Sequence, residues 1–213
     1  NPKEVTVPGV FIDAIVKCDN PMEDHRQTSS WYYDPSYSGQ IRVPNNHIKK
    51  AEFNERKFIA RRGTMELKKG DVVNLGTGIP NDMVGSVCIE EGVNDDIMIT
   101  VESGIYGGQQ AGGIDFGIGQ NLVAMITHHE QMDYYNGAGV DCTFMGLGEL
   151  DKEVNVNSTK MGSRCTGAGG FIDITQNAKK VVFLGTFTAS GAKYKFEKDK
   201  LTILQEGKIR KMV

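Results

Sequence analysis

Residues 72–80 read Val72-Val73-Asn74-Leu75-Gly76-Thr77-Gly78-Ile79-Pro80. A short, mostly apolar run bounded by a glycine turn suits a fully buried strand, and a proline's fixed φ suits the first turn of a helix. The pattern predicts a strand over Val72–Leu75, a helix over Asn81–Glu91 and a second strand over Ile97–Val101 that stops at Glu102-Ser103-Gly104. Strand, helix and strand in that order make the unit of a parallel sheet with helices on its faces. Leu122–Thr127, Cys142–Leu147, Phe171–Ile174 and Lys180–Thr186 are further short apolar runs of the same kind. The fold class expected is α/β, with an open, largely parallel sheet flanked by helices.

Upstream the pattern changes. Val5–Val16 (VTVPGVFIDAIV) reads as a strand or a pair of short strands. Asp19–Asn46 is polar and aromatic, with Trp31, Tyr32, Tyr33, Tyr37 and prolines at 21, 35 and 44. That is long for a structureless loop inside a compact domain, so it reads as an arm that packs on something. From Ala51 to Leu67 (AEFNERKFIARRGTMEL) the period turns helical. Phe53, Phe58, Ile59, Met65 and Leu67 can share one face, with a solvated basic face opposite and Gly70 as the stop. The division expected is a connector over 1–48 and a domain over 49–213.

Of the 213 residues, 39% are apolar and 24% charged, so a packed core is within reach and wholesale disorder is not indicated. A net charge of −3 argues against a nucleic-acid partner. No apolar run is long enough to span a bilayer and no signal peptide opens the chain, so no membrane association is expected. The four cysteines, Cys18, Cys88, Cys142 and Cys165, are widely spaced and read as reduced, buried thiols. That points to the cytoplasm, or to the mitochondrial matrix in a eukaryote. With no initiator Met and an abrupt stop at Met212-Val213, the sequence reads as a fragment or a processed subunit.

Three features could carry chemistry. Glu102 ends a predicted strand, and in open parallel sheets ligands bind outside the carboxyl ends of strands. Position alone also suits a solvated surface carboxylate. The turn Gly76–Pro80 exposes backbone N–H groups beside a helix start, a setting for an oxyanion or phosphate as well as for an empty tight turn. It lacks the full dinucleotide fingerprint and is not a P-loop. Thr166-Gly167-Ala168-Gly169-Gly170 offers a second stretch where a ligand could approach the backbone, or a structural turn. Gln109, Gln110 and the residues to Phe116 lie near Glu102 in sequence and are candidates for lining a ligand pocket beside it. His128-His129-Glu130 lacks further ligands at metal-site spacing, and no metal is expected. His25 and His47 fall in the polar arm and carry no expected role.

The order NLGTGIP, TVESGIYGG, GIDFG, FMGLGELD and GAGGFIDITQNAKKVVFLGTFTASG is far more specific than any one piece. It resembles the family I CoA-transferases, in particular the fused-chain subgroup acting on short-chain acyl-CoAs, and is strongest over 67–188. Relatives of the 3-oxoacid type carry Ser-Glu-Asn-Gly around the nucleophile, where this chain has Val101-Glu102-Ser103-Gly104. The resemblance implies a catalytic glutamate at Glu102 and an oxyanion- and CoA-binding role for Gly76, Gly78, Ile79, Gly169 and Gly170. It implies that this chain is the glutamate-bearing C-terminal half, truncated at its end and dependent on a preceding N-terminal half. Acyl-CoA and carboxylate substrates, a homo-oligomer, and no resident cofactor beyond coenzyme A as substrate are implied with it. An ionised Glu102, favoured by nearby donors, would form a glutamyl–CoA thioester in a ping-pong reaction. An acyl-CoA hydrolase on the same scaffold and a non-catalytic CoA-binding module are the alternatives, with a sugar-phosphate isomerase of related fold behind them.

Overall fold

The computed structural model describes residues 1–44, 50–137 and 139–213. Two compact units are present, Asn1–Asp34 and Pro35–Val213. The expected division between residues 48 and 49, like His47, lies outside the described residues.

The first unit holds no strand among its described residues. Val5–Val16 does not pair; it contains only the 3-10 turn Gly9–Phe11, and the unit adds a 3-10 turn at Pro2–Glu4 and one α-helical turn at Pro21–Asp24. A strand needs a neighbour for its N–H and C=O groups, and Pro8-Gly9 interrupts the run. Val10, Phe11, Ile15 and Val16 are exposed. Trp31 and Tyr33 are also substantially exposed, so the aromatic cluster is not a buried packing centre. The arm nevertheless divides in two. Residues 35–44 belong to the second unit, where Ser36 is buried and accepts from Gln120 Nε2 at 2.7 Å. The Val43 amide and carbonyl are both taken by the Asn121 side chain at 2.8 Å.

The second unit is built on α1 (Glu55–Thr64), β1 (Val72–Leu75), α2 (Gly85–Glu90), β2 (Met98–Val101), β3 (Ile105–Tyr106), β4 (Ala124–Met125), α3 (His128–Gly137), β5 (Cys142–Met145), α4 (Phe171–Asn177) and β6 (Lys180–Phe183). The six strands form one sheet in the order β6-β5-β1-β2-β3-β4. β6, β5, β1 and β2 are mutually parallel, and β3 and β4 add an antiparallel edge. The expected α/β architecture is therefore present.

Three corrections apply to the local reading. α1 stops at Thr64, well before Gly70, and it turns Lys57, Ala60, Gly63 and Thr64 inward, leaving Phe53, Phe58 and Met65 exposed. The small residues win the buried face because α1 lies close on the sheet: a β-carbon on Gly63 would stand 3.0 Å from Leu184 and 3.2 Å from Phe144. Lys57 is no solvated cation, since it is buried against Glu90 at 2.6 Å and the Ala51 carbonyl at 2.8 Å. Phe171–Ile174 begins helix α4 instead of a strand. Of the cysteines only Cys88 and Cys142 are buried, with burial pushing their thiols up to about 12 and about 11.

Alternation along the central strands explains how the sheet serves two faces. Val73, Leu75, Ile99, Cys142 and Phe144 pack in one cluster with Ala60 of α1 and Val87 and Cys88 of α2. Tyr135 of α3, Ile174 of α4, Val140 and Met145 form a second cluster. Removing a ring as buried as Phe144 would cost about 3–5 kcal/mol. Among the described residues no helix is long and apolar enough to cross a membrane.

Candidate active site

Glu102 follows directly on β2, at the carboxyl end of an inner strand of the parallel set. The chain reverses at once, with the Gly104 amide bonding back to the Val101 carbonyl at 3.0 Å. Gly104 has φ +102°, and a β-carbon there would stand 2.1 Å from the Ile126 carbonyl oxygen. Only glycine combines that conformation with that approach. Ser103 Oγ donates to the Gly117 carbonyl at 2.7 Å and fixes the glycine-dense loop beside the carboxylate.

A cavity of about 770 Å³ opens above Glu102. Gly76, Gly78 and Ile79 line one side and the turn Gly167–Gly170 another, so the carboxylate and both glycine turns meet in one place as expected. At Gly170 a β-carbon would lie 3.9 Å from Glu102 Oε1. The two turns differ in what they can offer. The Gly76 amide is committed to the Phe144 carbonyl at 2.8 Å, which gives Gly76 a structural task and removes it as an anion donor. Among the described residues no acceptor engages the amides of Gly78, Gly169 or Gly170. Gln109, Gln110 and the residues to Phe116 do not line this cavity; Gln109 is turned away onto Ser86 Oγ at 2.8 Å. Arg56, paired with Asp82 at 2.5 Å, and Lys211 bring positive charge to the rim.

Beneath Glu102 lies a polar group that the sequence reading missed. Asn74, Thr100 and Thr143 occupy β1, β2 and β5 in register, with Asn74 opposite both threonines. All three are fully buried, as is Tyr135, which closes the row from α3. Asn74 Nδ2 donates to Tyr135 Oη at 3.1 Å and reaches Glu102 Oε2 at 3.4 Å, while Thr143 Oγ1 donates to Asn74 Oδ1 at 2.8 Å. Thr100 Oγ1 donates to the Val73 carbonyl at 2.9 Å and stands 2.7 Å from Tyr135 Oη. A sequence signal did exist: Asn and Thr in the middle of short apolar strands require partners.

Burial raises the Glu102 pKa above the ordinary glutamate range, opposed by its own backbone amide, by Asn74 and by the charge on His128. Desolvation outweighs these donors in setting the direction of the shift, and so works against the expected preference for the ionised form. In the His128-His129-Glu130 run, Glu130 Oε2 caps α3 by accepting from the Thr127 amide at 3.0 Å and hydroxyl at 2.7 Å. No group of three or more His, Cys, Asp or Glu suited to a metal occurs among the described residues.

An open sheet with a carboxylate at the carboxyl end of a parallel strand, facing two glycine turns, places the chain among α/β proteins that bind ligands at strand ends. No family model matches it. It is 41% identical over 217 residues to the caffeate CoA-transferase of Acetobacterium woodii, covering all of this chain and 41% of that protein. Its fold matches the crystal structure of the acyl-CoA transferase YdiF apoenzyme from Escherichia coli O157:H7 with a TM-score of 0.76 and 35% identity, over 100% of this chain and 38% of that one. The same enzyme in a thioester complex with CoA matches with a TM-score of 0.71 and 36% identity, over 99% of this chain and 38% of that one. A partial match joins the chain to the acetate CoA-transferase subunit beta of Haemophilus influenzae, 32% identical over 142 residues and covering 61% of each. Over its full length the chain is similar to CoA-transferases. It spans about two fifths of the full-length relatives it matches.

Proposed function

We propose that the protein transfers CoA from a short-chain acyl-CoA to a carboxylic acid through a covalent glutamyl–CoA thioester on Glu102. The observation that carries this reading is the meeting of Glu102 with two glycine turns in one cavity at the carboxyl end of β2. The thioester described for YdiF, an enzyme matched over 99% of this chain, supports it.

The chemistry needs a carboxylate because the thioester's transfer potential must pass to another acid and not to water. Glu102 attacks the acyl-CoA carbonyl and expels CoA thiolate, leaving a glutamyl–acyl anhydride. The thiolate then attacks the glutamyl carbonyl and releases the first acid as its carboxylate. A second carboxylate attacks the glutamyl–CoA thioester, and the same two steps run in reverse. No net proton is taken up or lost, and the sequence requires neither a metal nor a resident cofactor. Each attack builds an oxyanion, for which the free amides at Gly78, Gly169 and Gly170 are suitable donors. One such donor is worth roughly 3 kcal/mol.

In the same reading residues 1–48 are a connector, the N-terminal half supplies the rest of the cleft, and the enzyme is a cytoplasmic homo-oligomer. The exposed Val10, Phe11, Ile15 and Val16 fit a segment that packs against such a half. The reading is tested in the intact enzyme by following acetyl-CoA, free CoA and the acceptor's CoA thioester with and without an acceptor acid. Acceptor-dependent formation of that thioester with no accumulation of free CoA, lost in Glu102→Ala, is expected. Free CoA accumulating over many turnovers without acceptor would make the enzyme a hydrolase.

A further inference from the structure

The two core clusters of the second unit are largely apolar, yet the middle of the sheet carries a row of polar side chains. Residue pairing places Thr100, Asn74 and Thr143 side by side on β2, β1 and β5. Thr100 and Glu102 are two residues apart, so strand alternation puts them on the same face, one step apart. Asn74 is therefore one step beneath the carboxylate.

The direction of every hydrogen bond in the row follows from counting protons. Thr100 spends its one hydroxyl proton on the Val73 carbonyl. In its 2.7 Å contact with Tyr135, the tyrosine must then be the donor. With its own proton used, Tyr135 Oη can only accept from Asn74 Nδ2. Because Tyr135 can only accept, it requires the N–H end of Asn74, which fixes which end of the amide is which and leaves Oδ1 to accept from Thr143. Asn74 has two N–H groups; one is held by Tyr135, and the second is left facing Glu102 Oε2.

We propose that Asn74, locked by Thr143 and Tyr135, is a positioning residue that presents a single fixed N–H to the Glu102 carboxylate. This rests on the reading of Glu102 as the nucleophile. Aliphatic residues would fill the same space without the burden of matching four buried polar side chains. The row repays that burden only at its open end, where it meets the carboxylate. Burial raises the Tyr135 pKa and keeps its hydroxyl a donor across the working range.

The charged and titratable groups facing Glu102 are few. His128 and Tyr135 approach from α3, and Glu55, Arg56, Tyr194 and Lys211 border the same cavity. The test uses the intact enzyme, acetyl-CoA and two near-isosteric variants, Asn74→Asp and Tyr135→Phe, with Glu102→Ala alongside. Asn74→Asp keeps the acceptor for Thr143 but replaces the N–H by an oxygen. It is expected to lower kcat by about a hundredfold, with KM for acetyl-CoA within about twofold, and to move the acid limb of the pH profile upward. Tyr135→Phe loosens the amide without removing it, and is expected to lower kcat by about tenfold with a smaller shift in the same direction. If Asn74→Asp does not fold, Tyr135→Phe decides. Folded variants with the wild-type acid limb and kcat, alongside an inactive Glu102→Ala, would overturn the positioning role and leave the nucleophile standing. Normal turnover by Glu102→Ala would overturn the nucleophile itself.

Discussion

Gly170 stands directly over Glu102: a β-carbon on it would lie 3.9 Å from Glu102 Oε1, 3.3 Å from Ile174 and 3.6 Å from Met132. Its φ of −75° is one that any residue adopts, so the glycine answers to space and not to backbone conformation. Gly170→Ala is expected to fold with little change in Tm, while its methyl crowds the approach to the carboxylate. In the intact enzyme the rate of thioester formation should fall by about tenfold or more, and further in Gly170→Val. Quenched-flow measurement of acetate released, or of CoA retained covalently on the enzyme, checks this. A wild-type rate in Gly170→Val would show that the ligand does not pass this turn.

The raised pKa of Glu102 has a consequence for stability. A carboxyl that binds its proton more tightly folded than unfolded stabilises the fold at low pH, and that contribution is lost as pH rises through its folded pKa. Glu102→Gln is neutral throughout and escapes the loss. Thermal denaturation should find Glu102→Gln more stable than wild type at neutral pH, with the difference shrinking in acid towards and below the ordinary glutamate value of 4.5.

For activity the same shift acts in the opposite sense. Glu102 must be ionised to attack, so kcat/KM should fall with decreasing pH at a value above that of an ordinary glutamate. A pH–rate profile of the intact enzyme with a saturating acceptor acid measures the limb. An acid limb at or below 4.5 would contradict the burial of this carboxylate in the working enzyme.

Away from the site, the Lys57–Glu90 pair ties α1 to α2 at 2.6 Å, with side-chain exposures of only 9% and 17%. Removing one partner leaves the other charge buried and unpaired. Lys57→Met should cost about 3 kcal/mol in a denaturant titration. A double substitution that also neutralises Glu90 should recover part of the loss.

The sheet and the place of Glu102 were legible because they depend on local pattern. VVNL and MITV are short runs rich in β-branched residues and bounded by turn signals, which read as buried strands, and the residue after MITV is Glu102. The buried face of α1 was not legible, since Gly63 and Ala60 face inward only because the sheet comes so close. Phe171–Ile174 has the composition of a strand, but the Gly169-Gly170 turn leads it into α4, where Ile174 faces the second core cluster. The Asn74 row depends on the register of three strands and on a tyrosine 61 residues further along the chain, which no local window contains. The loss of Gly76 as a donor depends on a bond to Phe144, equally remote in sequence.

The central claim is that Glu102 carries CoA covalently. The most direct measurement is peptide mass spectrometry of the intact enzyme after incubation with acetyl-CoA in the absence of an acceptor acid. A CoA adduct on the peptide containing Glu102, discharged when an acceptor carboxylate is added, is the expected result. Free CoA accumulating with Glu102 unmodified would contradict it.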